Sequence, residues 1–277
     1  MIKIFISVRN RLAITKKCVE ALERHSTIPH DIYIYDNCTN YRVREHWEYA
    51  YNLYKHGLAV QYVFNTDKST FGAFSKAVSW NHFGQLHLMD PQWDKYDFIT
   101  LIDNDIIVMP EWDSYIKQAW KIVKKTGADD HIRIIGQLPG GIKSKKVFNH
   151  DINGVSAKVG KLGGSGFWNV NPRFFKDVGF LDVKKFVGLS KSHDQQYWNI
   201  IERINKGQPY ILGLDKCLCI HCGSLAGSVC NVLTQNRSNK NKFDKIKFEA
   251  GEEKIDGISF DDFFKSIQKN AKLARSW

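Results

Sequence analysis

The sequence has no apolar segment approaching the roughly 20 residues that a helix needs to cross a bilayer. Its opening stretch, MIKIFISVRN, is too short and too soon charged to be the core of a secretory signal. These two absences lead us to expect a cytoplasmic protein. A peripheral position at a membrane surface stays open, because it needs no spanning helix.

Cysteine is sparse, and its spacing shows no regular disulfide pattern. Such usage fits reduced thiols in a reducing compartment. Four of the six cysteines fall in CLCIHCGSLAGSVC at residues 217–230, and the first three of them, with His221, offer the ligands of a zinc site. The CxC and HC spacings do not repeat the CxxC knuckle of structural zinc, so we place the zinc interpretation well behind reduced thiols.

Acidic residues are outnumbered by basic ones, 29 to 40, which leaves a formal net charge of +11. Residues 141–191 hold ten basic side chains against three acidic ones, and NRSNKNKFDKIK at residues 236–247 adds a second basic run. Solvated surface is the plainer interpretation. The sharper one is a face that meets an anionic partner, whether nucleic acid, phospholipid or an acidic glycan.

The glycine-rich loops that bind nucleotide phosphates are also missing. There is no GxGxxG after the first apolar segment and no GxxxxGK[ST] anywhere. The chain therefore offers no backbone cradle for a diphosphate. If it binds a nucleoside diphosphate, a divalent cation held by carboxylates is the obvious substitute.

The apolar periodicity alternates between strand and helix over the first 130 residues. The strand candidates are MIKIFISV, DIYIYDN, LAVQYVFN and the segment after residue 97, with helical patterns between them. In the second helical pattern Trp47, Ala50, Tyr51 and Tyr54 share one face. This alternation predicts an α/β fold with a mostly parallel sheet flanked by helices, and ligands at the carboxyl ends of its strands.

Beyond residue 131 the segments become shorter and richer in glycine. The chain closes on SFDDFFKSIQKNAKLARSW, an amphipathic helix with Ser259 as its cap. Acidic residues stand in its first turn and basic ones in its last, as the helix dipole favours. We therefore expect a C-terminal helical extension on the α/β domain.

The stretch FITLIDNDIIVMPEWD, residues 98–113, places Asp103 and Asp105 inside an apolar run. Burying an ionised carboxylate without a partner costs several kcal/mol, so both acids need something to face. An acid pair at a strand end can direct one carboxylate to a sugar hydroxyl and the other to a metal. A chance DxD triplet is the alternative in a chain with 29 acids, among which we assign Asp113 and Asp129 to the surface.

Seven motifs in order resemble those of GT-A-fold glycosyltransferases, most closely the family 2 type. They are ISVRNR, IYIYDNCT, SKAVSWN, FITLIDND, LGGSGFWNVNPRFFKDVGFLD, SHDQQYW and HCGS, between residues 2 and 224. The resemblance implies a GT-A (Rossmann-like) fold and transfer of a sugar from a nucleoside-diphosphate sugar, with a UDP-sugar favoured, to an acceptor hydroxyl. It also implies one domain at 1–230, with a nucleotide-sugar-binding half at 1–130 and an acceptor-side half at 131–230, followed by a basic segment and amphipathic helix at 231–277.

On the donor side, the resemblance implies that Asp36 lies against the base edge, where it can accept the imide N–H of uracil. A strand-end turn or cap is the competing explanation. By the same resemblance, Lys76 lies where a basic side chain reaches ribose or phosphate. Gly163 and Gly164 would form the floor beneath the sugar, since glycines let a backbone approach a ligand closely. The full implied donor set is Ser7, Arg9, Asp36, Lys76, Asp103, Asn104, Gly163 and Gly164.

The resemblance also implies a metal site. Asp105 would be the main ligand, and Asp103 would bind ribose or the metal. His221, in HCGS, takes the place of a second protein ligand, although a lone histidine is more often a packed or surface residue. One imidazole with carboxylate and diphosphate oxygens suits Mn²⁺ better than Mg²⁺, so we expect Mn²⁺ with Mg²⁺ as the alternative.

On the acceptor side, Asp194 takes the place of the catalytic base, the acid of an ED pair at a helix start. A carboxylate there can accept the proton of the attacking hydroxyl, whereas a helix cap is its competing role. His193 stands where the first acid of that pair is usual. The Trp168 ring can either stack on an acceptor sugar or pack in the core.

The chain also departs from the family pattern. His193 and DND replace acids, DNCTNYRVRE lacks the SxDGT continuation, and no QxxRW is present. We therefore expect an inverting enzyme that adds one sugar per encounter, and an anionic acceptor such as a glycan, a phospholipid-linked sugar or DNA with hydroxylated bases. The alternatives are a non-catalytic nucleic-acid or membrane-surface binding protein on this fold, and a nucleotidyltransferase. The oligomeric state stays open.

Overall fold

A computed structural model describes residues 1–37, 39–40, 42–66, 73–137, 146–161, 166–183, 193–222 and 255–274. The strands are β1 Ile2–Val8, β2 His30–Asn37, β3 Gln61–Asn65, β4 Ile99–Asp103, β5 Ile106–Val108, β6 Ile134–Gln137, β7 Lys146–Ile152, β8 Val155–Gly160, β9 Phe167–Val170, β10 Ile211–Leu214 and β11 Cys219–His221. The helices are α1 Leu12–His25, α2 Val43–Lys55, α3 Ala73–Met89, α4 Trp112–Lys125, α5 Phe174–Val178, α6 His193–Ile204 and α7 Phe260–Ala274.

The described strands form a nine-stranded sheet in the order β3-β2-β1-β4-β9-β6-β10-β8-β7. Strands β3, β2, β1 and β4 are parallel neighbours. Strand β9 is antiparallel to both β4 and β6, and β8 is antiparallel to both β10 and β7, while β6 and β10 run together. Every strand except β9 and β8 therefore points the same way, which confirms the predicted mostly parallel sheet. A two-stranded antiparallel sheet, β5 with β11, lies apart from it.

Apolar side chains pack on both faces of the large sheet. The even-numbered residues of β1, among them Ile4 and Ile6, belong to the cluster that includes residues of α1, α4 and α7. Phe5 points to the other face, where it stacks on Phe83 of α3 with ring centroids 4.6 Å apart. This alternation along one strand explains why β1 reads as a continuous apolar run, since parallel strands are covered on both sides.

The C-terminal helix is part of this core. Ile255 and Phe263 are fully buried, in the cluster that holds α1. Ser259 Oγ accepts the backbone N–H of Asp262 at 3.2 Å, as its predicted role as helix cap requires. Lys17 on α1 donates to the carbonyl of Ile258 at 2.6 Å, so a charged bond fixes the start of the helix as well. The predicted C-terminal helical extension is confirmed.

Helix α2 turns its aromatic residues outward. Ala50 and Leu53 are buried, whereas Trp47, Tyr51 and Tyr54 are exposed. The face shared by the three aromatic residues is thus not the face that packs on the sheet. No helix within the described ranges has the length and apolar content to cross a membrane.

The assignment of Asp113 to the surface is wrong. Its carboxylate is fully buried and accepts the backbone N–H groups of Thr27 and Ile28, each at 2.7 Å. The Thr27 hydroxyl donates to it as well, at 3.0 Å. Asp113 therefore holds the turn between α1 and β2 against the start of α4.

Replacement of Asp113 by asparagine should lower the free energy of unfolding by about 3 kcal/mol, because an amide cannot accept all the bonds that the buried carboxylate accepts. Urea denaturation at pH 7 measures this loss. Asp94→Asn is the control, since Asp94 is exposed and its variant should stay within about 0.5 kcal/mol of the parent. Equal stability of both variants would contradict the anchoring role.

Candidate active site

Strands β1, β2 and β4 end at the same edge of the sheet. Ser7 of β1 lies opposite Asp103 of β4 and Tyr35 of β2. After β1 the chain turns sharply, because Asn10 and Arg11 both adopt left-handed backbone conformations, with φ of 52° and 63°. The turn brings the Arg11 side chain back beneath the end of β4.

Asp103 forms an ion pair with Lys76 of α3. The Lys76 Nζ lies 2.6 Å from Oδ1 and 2.8 Å from Oδ2 of the carboxylate. Both groups are partly open to solvent, with 26% of the Asp103 side chain and 14% of the Lys76 side chain exposed. The carboxylate and the ammonium are therefore both within reach of a ligand at this edge.

Asp105 makes a different set of contacts. Its Oδ2 lies 2.6 Å from Nη1 of Arg11, and its Oδ1 lies 3.2 Å from Nε2 of His221. Strand β11 carries His221 to this place by pairing with β5, where His221 stands opposite Ile106. The backbone N–H of Cys222 also donates to the Asp105 carbonyl at 2.9 Å. Asp105 is thus joined to a segment far away in the sequence, through its side chain to His221 and through its backbone to Cys222.

Asn104, between the two acids, points into the protein. Its Nδ2 donates to the Thr15 hydroxyl at 2.8 Å and to the Asn10 carbonyl at 3.3 Å, and the residue is buried. The expectation that Asn104 contacts the donor is therefore corrected, because its amide fastens the strand end to α1. The turn at residues 104–105 leaves Asp103 against Lys76 and Asp105 against Arg11, while the amide points to α1.

Ser7 and Arg9 lie on the adjoining strand end. The Ser7 hydroxyl is buried and shares a hydrogen bond of 2.7 Å with the Ser79 hydroxyl on α3. Because Ser79 Oγ donates to the Lys76 carbonyl, the Ser7 hydroxyl donates to Ser79, and this bond holds α3 to β1. Arg9 lies close enough to Asp36 for its charge to lower the pKa of that carboxyl.

Asp36 is buried at the end of β2. Its Oδ1 accepts the backbone N–H of Thr39 at 3.0 Å, which is the turn role that the sequence left open beside base recognition. Its Oδ2 makes no hydrogen bond of regular geometry among the described residues, but the Tyr62 hydroxyl lies close enough to lower the pKa of the carboxyl, and His46 Nδ1 lies 3.6 Å away. Burial raises the pKa of Asp36 to about 6, and burial lowers the pKa of His46 to about 4.

Trp168 packs in the interior of the protein. Only 1% of the residue is exposed, and its ring lies 4.9 Å from the Trp80 ring and 6.0 Å from the Tyr197 ring. Strand β9 places it opposite Leu101, on the sheet face covered by α3 and α6. Such burial leaves no ring face for an acceptor sugar, so the stacking role is corrected in favour of core packing.

Several predicted residues fall outside what the structure describes. Gly163 and Gly164 lie outside the described residues, and so do the side chains of His193 and Asp194, although helix α6 begins at His193. The nearest described glycine is Gly166. Its carbonyl accepts the Asp103 backbone N–H at 3.0 Å, and a Cβ added there would lie 3.5 Å from Asp103 Oδ2.

The cysteine cluster does not form a metal site within the described residues, where no group of three or more His, Cys, Asp or Glu side chains is placed to hold an ion. Burial raises the pKa of the Cys219 thiol well above its ordinary value, and burial does the same for Cys18. These thiols are therefore protonated and poor metal ligands at neutral pH. Among the described cysteines, Cys18, Cys219 and Cys222 are buried free thiols and Cys217 is half-buried.

The carboxylate and imidazole of Asp105 and His221 are nevertheless donors of the type that Mn²⁺ accepts. They are 3.2 Å apart and face each other, and partly exposed Asp103 belongs to the same strand end. Two protein ligands leave coordination positions for diphosphate oxygens and water. Asp105 is only 4% exposed and is already paired with Arg11 and His221, so a divalent cation would bind here by displacing one of these contacts.

Arg11 and His46 are the site residues that the sequence did not single out. Arg11 stands in the basic stretch SVRNRLAITKK, and its position directly after the first strand was the available signal. His46 lies within an ordinary amphipathic pattern, so nothing in the sequence marks it as the neighbour of Asp36.

The Asp36 and His46 pair should make stability depend on pH in opposite directions. The pKa of Asp36 is raised on folding, so its contribution is complete below about pH 4 and is lost as the pH rises through 6. The free energy of unfolding of Asp36→Asn, relative to that of the parent, should therefore rise by about 3 kcal/mol as the pH rises from 4 to 7. The pKa of His46 is lowered on folding. The free energy of unfolding of His46→Gln, relative to that of the parent, should therefore rise by about 3 kcal/mol as the pH falls from 7 to 4.

Urea denaturation of the parent and the two single variants at several pH values measures both differences. Asp94→Asn serves as the control, since loss of an exposed carboxylate should leave the difference from the parent nearly flat. If the free energies of unfolding of the parent and of Asp36→Asn change in parallel with pH, the Asp36 carboxyl is not desolvated.

No protein-family model matches the chain, and no curated protein matches it. Solved structures with a similar fold do exist. The mannosyltransferase PcManGT from Pyrobaculum calidifontis, in complex with GDP-Man and Mn²⁺, has a TM-score of 0.51 at 7% identity over 99% of this chain and 75% of its own. GalNAc-T7 with UDP, GalNAc and Mn²⁺ has a TM-score of 0.51 at 11% identity over 99% of this chain and 57% of its own.

Staphylococcus aureus TarS gives a TM-score of 0.48 at 12% identity, and the match covers 92% of this chain but only 42% of TarS. For the two structures with a TM-score of 0.51, identities of 7% and 11% show a shared fold and nothing more specific. With its nine-stranded sheet and flanking helices, the chain has the GT-A-like fold of glycosyltransferases.

Proposed function

We propose that the chain is a metal-dependent, inverting glycosyltransferase of the family 2 type that moves one sugar per encounter from a nucleoside-diphosphate sugar, preferably a UDP-sugar, to an acceptor hydroxyl. One observation carries the proposal. At the end of a single strand, Asp103 meets Lys76 while Asp105 meets Arg11 and His221. This edge of the sheet thus combines carboxylates for a cation with bases for a diphosphate.

The similar structures support this chemistry. PcManGT is a complex with GDP-Man and Mn²⁺, and GalNAc-T7 a complex with UDP, GalNAc and Mn²⁺. Those ligands belong to those proteins. The shared fold makes a nucleotide sugar and a divalent cation the first ligands to test here.

Basic side chains replace the missing glycine-rich loop in binding the donor. Lys76 is partly exposed at the strand end and can move from Asp103 to a phosphate oxygen over a short distance. Arg11 and Arg9 add positive charge on the side of β1, where a diphosphate would otherwise meet only acids. In this proposal Asp36 recognises the base edge through its turn, and the floor beneath the donor sugar is assigned to Gly163 and Gly164, which lie outside the described residues.

Asp105 and His221 would hold the cation, with Asp103 next to them. A bound Mn²⁺ or Mg²⁺ would act as a Lewis acid that offsets negative charge on the diphosphate leaving group. Arg11 already lies 2.6 Å from Asp105 and therefore orients that carboxylate. His221 is the softer ligand, which favours Mn²⁺.

Asp194, at the start of α6, is the catalytic base. It accepts the proton of the acceptor hydroxyl while the new bond from that oxygen to the anomeric carbon forms. The bond between the anomeric carbon and the diphosphate oxygen breaks, and the electron pair leaves with the nucleoside diphosphate. His193 lies beside the base on the acceptor side, and the basic excess of residues 141–191 favours an anionic acceptor.

Replacement of Asp105 by asparagine should reduce Mn²⁺-dependent turnover by about 100-fold or more, because the amide weakens the main protein ligand of the cation. The assay is a panel of sugar nucleotides scored for Mn²⁺-dependent hydrolysis and for thermal stabilisation. Asp94→Asn is the matched control and should keep parental turnover. Full metal-dependent turnover by Asp105→Asn, with an unchanged melting temperature, would remove Asp105 from the site.

Replacement of Asp194 by asparagine should lower kcat by about 10²- to 10⁴-fold and leave donor affinity unchanged, since the base acts only on the acceptor proton. Kinetics with a donor found active in the panel, together with donor titration by calorimetry, separate the two effects. Glu202→Gln, a carboxylate change farther along α6, is the control. If no sugar nucleotide turns over while the chain still binds nucleic acid or vesicles without metal, the non-catalytic alternative holds.

A further inference from the structure

The Asp105 carboxylate has a basic neighbour at each of its oxygens. Its Oδ2 lies 2.6 Å from Nη1 of Arg11, and its Oδ1 lies 3.2 Å from Nε2 of His221. Only 6% of the Asp105 side chain is exposed, so the carboxylate has little surface to offer to a further ligand. A cation that binds to Asp105 therefore meets a side chain that is already there.

Asp103, two residues earlier, is held more openly. The Lys76 Nζ lies within 2.8 Å of both of its oxygens, and 26% of the Asp103 side chain is exposed. A ligand can approach this carboxylate from solvent while Lys76 stays in place. The competition between a bound cation and a basic side chain is therefore concentrated at Asp105.

Of the two neighbours of Asp105, Arg11 is the one that opposes a metal ion. An imidazole can ligate a divalent cation, so His221 can stay beside the carboxylate when a cation binds. A guanidinium has no acceptor atom and keeps its positive charge at every physiological pH. At a carboxylate that is nearly closed to water, its charge repels a cation with little screening.

The main chain around Arg11 is fixed, so a change of partner involves its side chain alone. The Arg11 carbonyl accepts the Thr15 hydroxyl at 2.8 Å and the Thr15 backbone N–H at 3.0 Å. Asn104 Nδ2 donates to the same Thr15 hydroxyl at 2.8 Å and to the Asn10 carbonyl at 3.3 Å. These bonds hold the start of α1 to the turn that carries Asp105.

The Arg11 guanidinium has a second acceptor once a nucleoside diphosphate is present. Its N–H donors form a planar fork, which fits two phosphate oxygens as well as it fits a carboxylate. The side chain is 17% exposed, so it has access to the solvent side of the strand end. Exchange of the carboxylate for a phosphate keeps a charge-assisted hydrogen bond and leaves Asp105 to the cation.

We propose that Arg11 couples the two ligands of this site: in the ligand-free chain it occupies Asp105 against a metal ion, and a nucleoside diphosphate draws it away. The inference rests on the proposed function and adds the order in which that site is filled. The chain binds the free metal weakly and binds it tightly together with the diphosphate. By linkage, each ligand raises the affinity for the other by the same factor.

Titration of the full chain with Mn²⁺ alone, followed by calorimetry, tests the proposal without any nucleotide. Arg11→Gln should bind Mn²⁺ about tenfold more tightly than the parent, because Asp105 loses its competing cation. Arg44→Gln is the matched control, since it makes the same change of side chain at a position that is 88% exposed, and it should bind Mn²⁺ like the parent. The double variant Arg11→Gln/Asp105→Asn should lose the gain, which places the added affinity at Asp105.

With Mn²⁺ in excess, the affinity for UDP should change in the opposite direction. It should fall by about tenfold in Arg11→Gln, because the diphosphate loses its guanidinium. Equal or weaker Mn²⁺ binding by Arg11→Gln overturns the proposal, and so does a gain that the double variant retains. A parent chain that binds neither UDP nor GDP in the presence of Mn²⁺ would count against the proposed function, while the comparison with Mn²⁺ alone still decides the role of Arg11.

Nuclear magnetic resonance of the parent chain supplies a measurement that does not depend on the folding of the glutamine variant. The guanidinium N–H resonances of Arg11, assigned by their loss in Arg11→Lys, should keep their positions when Mg²⁺ is added and should shift when UDP follows. Resonances that shift with Mg²⁺ alone, or that stay in place with both ligands, contradict the coupling.

Discussion

Ionised groups at the end of an apolar strand must each have a partner, and the site is built on this constraint. Asp103 and Asp105 follow four buried residues of β4, and each lies against a basic side chain. Lys76 satisfies the first from α3, and Arg11 satisfies the second from the turn after β1. These two ion pairs therefore link α3 and the turn before α1 to the end of β4.

Buried charge fixes the peripheral segments in the same way. Asp256 lies 3.2 Å from Lys16 of α1 and 3.2 Å from Arg42, the residue that precedes α2. Lys3, almost fully buried in β1, lies 2.6 Å from Asp90. Removal of Asp90 would leave the buried Lys3 ammonium without this partner, which costs more than the pair itself contributes. Asp256, in the C-terminal segment, therefore contacts the start of α2, which lies near Asp36.

The sequence predicts the sheet better than it predicts the direction of individual side chains. Alternating strand and helix periodicity is local, so it suffices for β1, β2 and β4 and for the gathering of their carboxyl ends. Trp168 is different, because its burial depends on the insertion of β9 between β4 and β6. The inward turn of Asn104 depends on a hydroxyl 89 positions away in the chain. Such contacts join distant segments, and no local pattern records them.

The absence of a glycine-rich loop changes what can tune the candidate site. A backbone cradle has a fixed shape once its glycines are in place, whereas Lys76, Arg11 and His221 are side chains on three separate elements. Their distances to the two acids, 2.6 to 3.2 Å, hold only while α1, α3 and β11 keep their packing on the sheet. Bonds such as Ser7 to Ser79 and Asn104 to Thr15 set that packing. Buried hydroxyls and amides that never face a ligand therefore control the geometry with which this edge can meet one.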